Sequence, residues 1–376
     1  MPIEVESPEE LGYDTIRYNL SESSMRDATV GDLGLQSPSL VDELQHKVLW
    51  YGDHRGDPGL RSLVAALGTS LSADDVLVTA GAAMALFVVH TAFLEPGDEI
   101  VVFHPNYATN IETPRAIGAN VLPLQLTFKD GYRPDLDRLE SLVSARTKIL
   151  SITDPHNPTG ICLTEEERMH IVTLAQRHGC VLLVDETYRD LSRGPAQPWA
   201  AEMSESAISI SSLSKSMGLA GIRVGWAITR SRAHQERLLA AKEQIMICGS
   251  VLDETVATHA LRQRTELLAS RRATAERHLS IVREWMSGHA GLEWVEPQGG
   301  VVCFPRIRDP FAVDVGAFYQ HLRTVGGTLV GAGHWFEVDP RSFRVGFGWP
   351  SDSELRGGLA AIDASLDAAH DPGKKS

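Results

Sequence analysis

The chain has 376 residues, of which 43% are hydrophobic and 22% charged, an ordinary profile for a folded protein with a large core. Its formal net charge of −14 disfavours nucleic acid and anionic membrane as partners, because both repel an acidic surface. No apolar run reaches the roughly 18 residues that span a bilayer, and the four cysteines (Cys162, Cys180, Cys248, Cys303) match no metal spacing.

The fourteen histidines are scattered, so no metal site is expected. The N-terminus is acidic and lacks a basic-then-apolar signal pattern, and the four widely spaced cysteines make a reduced cytoplasmic compartment the economical expectation. Residues 1 to about 36 have weak periodicity, and the stretch from Tyr18 to Asp27 reads as an arm that packs over another part of the chain. Leu40, Leu44 and Val48 then recur at helical spacing. Tyr51 to Arg61, with Gly52, Gly56, Pro58 and Gly59, is a loop that leads into a short helix.

From about residue 74 the pattern alternates. Buried β-type runs are predicted at 76–79, 99–103, 120–126, 147–153, 180–184, 207–212 and 225–229, with helices between them. A helix is predicted over 82–94, stopped by Glu95-Pro96-Gly97-Asp98. Thr164 and Glu167 form a capping box for a helix that ends near Gly179. This order implies an α/β fold, a large domain with a mainly parallel seven-stranded sheet covered on both faces. Residues 231–289 read as helical. From Gly291 strands are predicted at 292–295, 301–305, 327–330 and 343–346, and Ser351 with Glu354 opens a last helix, a smaller α+β region. The expected division is an N-terminal arm, 1–45, joined to the small domain, a large domain, 46–288, and a C-terminal small domain, 289–376.

The polar residues that stand out lie where parallel strands end, the edge at which open α/β sheets bind ligands. Gly81, Ala82 and Ala83 follow one strand and open a helix, whose free N–H groups suit an anion. Tyr107, Asn157, Asp185 and Ser212 follow or end others. Lys215 stands among Ser212, Ser214 and Ser216, with Arg223 eight residues on. A lysine there can form a Schiff base with an aldehyde while hydroxyls and an arginine hold a phosphate, and pyridoxal phosphate carries both groups. On that cofactor Asp185 would keep a pyridine nitrogen protonated, Asn157 and Tyr188 would bind the phenolic oxygen, and Tyr107 would stack on the ring.

As an ordered set these motifs resemble the class I/II aminotransferase group of fold-type I enzymes that depend on pyridoxal 5'-phosphate. The carrying residues are Tyr51 with Gly52, Gly56 and Arg61, Thr79 to Ala82, Pro105 to Tyr107, Asn157 to Gly160, Asp185 to Tyr188, Ser212 to Lys215 with Arg223, and Arg344 to Gly348. The resemblance covers about residues 40–350. It implies that Lys215 is the cofactor-linked lysine and acid–base group, with Asp185 and Tyr188 as its catalytic companions. Ala82, Ala83, Ser212, Ser214 and Arg223 would surround the phosphate. Tyr51 would reach the cofactor of a neighbouring subunit, which makes the enzyme a homodimer with shared sites. Arg344, with Asn157, would bind the substrate α-carboxylate.

The chain departs from the family's pattern in three places. Asp154 and His156 stand before Asn157 where many relatives carry asparagine. The phosphate loop Ala82-Ala83-Met84 has no hydroxyl. The arm reads Asn19-Leu20-Ser21-Glu22-Ser23 in place of the usual glycine–proline pattern. Two reactions at the Cα of an α-amino acid are therefore in view. One is transamination. The other is β-elimination and cyclisation of a hydroxylated arginine-like amino acid, as in the capreomycidine-synthase-like cyclases of antibiotic biosynthesis, whose cationic substrate the acidic arm residues Glu22, Asp27 and Asp32 would suit. An effector-binding domain of a transcription regulator ranks low, because no basic helix-turn-helix segment precedes the fold.

Overall fold

The computed structural model describes residues 8–33, 38–194 and 197–370, so residues 1–7 and 34–37 of the expected arm lie outside the described residues. The arm supplies strand β1 (Tyr18–Leu20). Strands β2 (Val76–Thr79), β3 (Glu99–His104), β4 (Asn120–Gln125), β5 (Thr147–Thr153), β6 (Val181–Asp185), β7 (Ala207–Ser212) and β8 (Gly225–Ile228) form one seven-stranded sheet in the order β2-β8-β7-β6-β5-β3-β4. β4, β3, β5, β6 and β7 run parallel, and β8 is antiparallel to both β7 and β2.

The near-continuous apolar runs are explained by burial on both faces. Ile100 and Val102 of β3 join Ile149 and Leu183 under helix Gly81–Phe93, with Ala85 and Val89. Val101 and Phe103 point the other way, with Leu150, Ile152 and Leu182, against Ile171 and Leu174 of helix Glu165–His178. That second helix begins at the predicted capping box. The Thr164 hydroxyl accepts from the Glu167 N–H at 3.2 Å, the Glu167 carboxylate accepts from the Thr164 N–H at 2.8 Å, and Gly179 closes the helix with φ 64°.

The remaining strands are β9 (Leu292–Glu293), β10 (Val302–Cys303), β11 (Arg306–Ile307), β12 (Thr328–Ala332) and β13 (Phe343–Gly346). β1, β12, β13 and β10 make a four-stranded sheet, and β9 pairs with β11. The pairing of β1 with β12, in parallel from Tyr18↔Thr328 to Leu20↔Val330, shows what the arm packs on. The runs expected at 292–295 and 301–305 are cut to two residues each, because Pro297, Gly299, Gly300 and Pro305 interrupt the ladder. The helical stretch 231–289 divides into Arg232–Glu243, Val251–Arg262 and Arg264–Met286, with Ser250 capping the second.

One core residue opposes stability. His90, in helix Gly81–Phe93, is fully buried, and neither ring nitrogen has a hydrogen-bond partner among the described residues. Burial pushes its pKa down to about 3. The unfolded chain therefore takes up a proton near pH 6.5 that the folded chain refuses, so stability falls as pH drops from about 6.5 towards 3. His90→Leu is expected to raise unfolding free energy at neutral pH by about 1–2 kcal/mol. Urea unfolding at several pH values should also show a shallower acid loss in that variant.

Candidate active site

Parallel strands bring their C-terminal ends to one edge, which here carries His104, Thr153, Asp185 and Ser212. The chain leaves each strand by a turn that turns a polar group into a common cavity of about 310 Å³. Of the residues expected there, Ala82, Ala83, Tyr107, Asn157, Asp185, Tyr188, Ser212, Ser214, Lys215, Arg223 and Arg344 line it. Tyr51 does not. It lies 77% exposed, beside a separate hollow with Trp50 and Asp53. Gly81 shapes the wall without lining it.

That shaping is steric. Gly81 has φ +81° and opens helix Gly81–Phe93, so the first free N–H groups of the helix belong to the Ala82 and Ala83 side of the cavity. A Cβ on Gly81 would lie 2.6 Å from an Arg223 guanidinium nitrogen, and one on Gly225 would lie 2.6 Å from the Gly81 carbonyl carbon. Gly81 thus lets Arg223 come down onto the helix start, and Gly225 lets the start of β8 pack against the same backbone. Its guanidinium is steadied by donation to the Ala220 carbonyl at 2.9 Å. The Ser214 N–H donates to the Ser212 hydroxyl at 3.3 Å, which folds the turn before Lys215.

The Lys215 amine donates to the Ser23 hydroxyl at 2.8 Å. Burial, and then the positive charge of Arg344, push its pKa down, while the carboxylates of Glu22 and Asp185 oppose them. The balance favours a neutral, nucleophilic amine more than in a solvated lysine. Asp185 is buried and its pKa is raised by that burial. The Thr187 hydroxyl and the Thr187 N–H, the latter at 3.1 Å, both donate to one carboxylate oxygen and hold it in place. Burial pushes the Tyr188 phenol up to about 12, so it remains a donor, and it donates to the Ser23 carbonyl at 2.8 Å.

Arg344, on β13, donates to the Asn157 side-chain oxygen at 3.0 Å and to the Ser21 carbonyl at 2.7 Å, with its guanidinium 5.1 Å from the Phe336 ring centroid. Ser21, Glu22, Ser23, Trp335 and Phe336 also line the cavity and were not expected as site residues, although Glu22 was considered for its charge. The signal that finds the serines is the unusual arm itself. Asp27 accepts from the Trp349 indole at 2.9 Å and Asp32 closes a turn with Thr29 at 2.8 Å, so these two acids are used outside the cavity.

The two departures before Asn157 have structural partners. Asp154 accepts from the Leu163 N–H at 3.0 Å and lies 3.6 Å from Arg168. Burial pushes its carboxyl up to about 6. The His156 ring is buried, with Nε2 2.9 Å from the Pro105 carbonyl and Nδ1 2.8 Å from the Thr159 hydroxyl. Burial pushes its pKa down to about 4, so it is neutral, with Nε2 donating to the carbonyl. Both side chains tie the Asn157 turn to neighbouring loops. Among the described residues no group of three or more His, Cys, Asp or Glu side chains is arranged to hold a metal ion, and no helix is long and apolar enough to cross a membrane.

Capreomycidine synthase of Streptomyces vinaceus is 32% identical over 360 residues, covering 94% of this chain and 91% of that protein. The arginine–pyruvate transaminase of Pseudomonas aeruginosa is 30% identical over 324 residues, covering 82% of this chain and 81% of that protein. A PLP-dependent aminotransferase from Streptococcus suis superposes with a TM-score of 0.90 at 28% identity, covering 98% of both chains. The PLP-dependent cyclase OrfR superposes with a TM-score of 0.86 at 28% identity, covering 98% of this chain and 99% of that one. The sequence profile of the family described as aminotransferase class I and II matches residues 16–362. The chain belongs to the class I and II aminotransferase family and is an enzyme of that pyridoxal-phosphate-dependent group.

Proposed function

We propose that this enzyme holds pyridoxal 5'-phosphate on Lys215 and transfers the amino group of an α-amino acid, acting at its Cα. The observation that carries this reading is the meeting, in one cavity, of a half-buried amine, a buried carboxylate and a buried guanidinium: Lys215, Asp185 and Arg344. The residues present fit the cofactor. A cradle that a Cβ at Gly81 would fill, with Arg223, Ser212, Ser214 and the helix start at Ala82 and Ala83 around it, suits a phosphate. Asp185 would face the ring nitrogen, the Asn157 amide N–H the phenolic oxygen with Tyr188 near it, and Tyr107 a ring face. Bound there, the cofactor supplies an electron sink that stabilises negative charge at the substrate Cα.

The residues do the rest. Arg344 binds the substrate carboxylate, and its bonds to Asn157 and Ser21 fix the fork in one orientation. Lys215, held beside the Cα, takes a proton from that carbon and returns one elsewhere. Tyr188, kept protonated, gives its one O–H to the Ser23 carbonyl and so holds the arm against the cavity. The walls at Trp335 and Phe336 narrow the way for water. Tyr51 serves the cofactor of a second copy. It lies in an exposed apolar run with Val48, Leu49 and Trp50, the kind of surface a homodimer covers. The setting remains the reduced cytoplasmic compartment expected from cysteine usage.

Glu22 favours a second reading. It is an acid in the wall of the substrate cavity, and its charge acts on both Lys215 and Tyr188. It suits a substrate with a cationic side chain. Two relatives carry names that point the same way, one a capreomycidine synthase and one an arginine–pyruvate transaminase. On this reading the reaction is β-elimination and cyclisation of a hydroxylated arginine. A single turnover with arginine and with hydroxylated arginines, without an added keto acid, separates the two. One equivalent of keto acid per site is expected for transamination. A cyclic product that keeps its amino group, with no keto acid released, would establish cyclisation and overturn the first reading.

A further inference from the structure

The arm segment Ser21 to Ser23 is held more firmly than three loop residues need to be. The Asn19 side-chain oxygen accepts from the Ser21 N–H at 3.1 Å and from the Ser21 hydroxyl at 2.8 Å. The Ser21 carbonyl accepts from Arg344 at 2.7 Å, and the Ser23 carbonyl accepts from the Tyr188 phenol at 2.8 Å. Two residues on, the Met25 N–H donates to the Lys215 carbonyl at 2.8 Å. Upstream, β1 is anchored on β12. Ser23 is buried, so its position is set from both sides by backbone bonds, independently of its own hydroxyl.

That hydroxyl accepts from the Lys215 amine at 2.8 Å. We propose that Ser23 is a positioning residue for Lys215, its hydroxyl fixing the lysine amine where it exchanges a proton with the substrate Cα. The inference rests on the reading above that Lys215 is the acid–base group. A lysine amine ends a chain of four methylenes and loses much rotational freedom when it is placed. A misplacement of about 1 Å can slow a proton transfer by about 100-fold. An acceptor built on an over-determined backbone removes that freedom. The step it serves is balanced within the site: a proton passes between a substrate carbon and the amine nitrogen, and no oxidant or reductant enters. Burial, and then the charges of Arg344, Glu22, Asp185 and Arg223 that face the amine, set its charge state. None of them is a neutral acceptor, and Ser23 supplies one.

The test uses Ser23→Ala and Ser23→Thr. Alanine keeps the backbone carbonyl that holds Tyr188, and threonine keeps the hydroxyl. The first measurement is made on cofactor-free protein: the pH dependence of Lys215 acetylation by acetic anhydride, read by peptide mass spectrometry. The hydroxyl favours the charged amine, so the midpoint should fall in Ser23→Ala and return in Ser23→Thr. The second is steady-state kinetics on cofactor-loaded enzyme. Ser23→Ala should lower kcat about tenfold, with KM for the amino acid within about twofold and the visible cofactor band intact, and Ser23→Thr should restore kcat. An unchanged acetylation midpoint, or an unchanged kcat, overturns the proposal. So does loss of the visible band in Ser23→Ala, which would make Ser23 a cofactor-binding group instead. Failure of the underlying reading shows separately, as a visible band that survives Lys215→Ala.

Discussion

Lys215→Ala is expected to remove the visible absorbance of bound pyridoxal phosphate and to lower turnover by about 10⁴-fold or more. The argument begins with position. Lys215 follows β7, and Ser212 and Ser214 fold the turn that projects it into the cavity. It continues with charge. Burial and Arg344 favour the neutral amine, which is the form that attacks an aldehyde. One residue would thus hold the cofactor and move the proton, so alanine removes two functions together, and the loss exceeds that of an acid–base group alone. Absorbance of the purified variant, mixed with excess cofactor and dialysed, checks the first part. A band that persists would remove Lys215 from its assigned role.

Arg344→Lys is expected to raise KM for the amino acid by about 100-fold while cofactor affinity changes by less than about threefold. A guanidinium presents a planar fork that meets a carboxylate through two parallel bonds, and an ammonium does not. The surroundings are built for the fork. Asn157 and the Ser21 carbonyl each take one terminal nitrogen, and Phe336 lies under the plane. A lysine leaves at least one of these acceptors without its donor, which adds to the loss. Steady-state kinetics together with a cofactor titration separate the two affinities. Equal losses in both would mean that Arg344 supports the cofactor rather than the substrate.

The large sheet was legible in the sequence because its strands are short, apolar and punctuated. β5 and β7 occupy the predicted ranges 147–153 and 207–212, each an apolar-rich run of Ile with Leu, Ser, Thr or Ala. The capping boxes at Thr164 and Ser351 were legible for the same reason, since both halves of the signal are local. The cavity-lining residues at strand ends were visible as types in an order, but the distances between them are tertiary. The small sheet was harder. β9 and β10 are two residues long, too short for an alternating pattern to declare itself. β1 has three residues and pairs with β12 more than 300 positions later in the chain, a register that no local pattern carries. Ser21 and Ser23 stand in an arm whose sequence is conspicuous, but no local pattern assigns either a role until the Ser21 carbonyl meets Arg344 and the Ser23 hydroxyl meets Lys215. Asp154 and His156 were conspicuous yet turned out to brace a turn. Their ties run within the turn to Thr159, on to Leu163 and to Arg168 of the next helix, and across to the separate loop at Pro105.

The most direct test of the central claim is chemical. Cofactor-loaded enzyme is reduced with sodium borohydride, digested and mapped by mass spectrometry. The account predicts a pyridoxyl phosphate addition on the peptide that contains Lys215 and on no other lysine peptide. An addition at Lys242 or at a surface lysine, or a reduced protein with no addition at all, would contradict it.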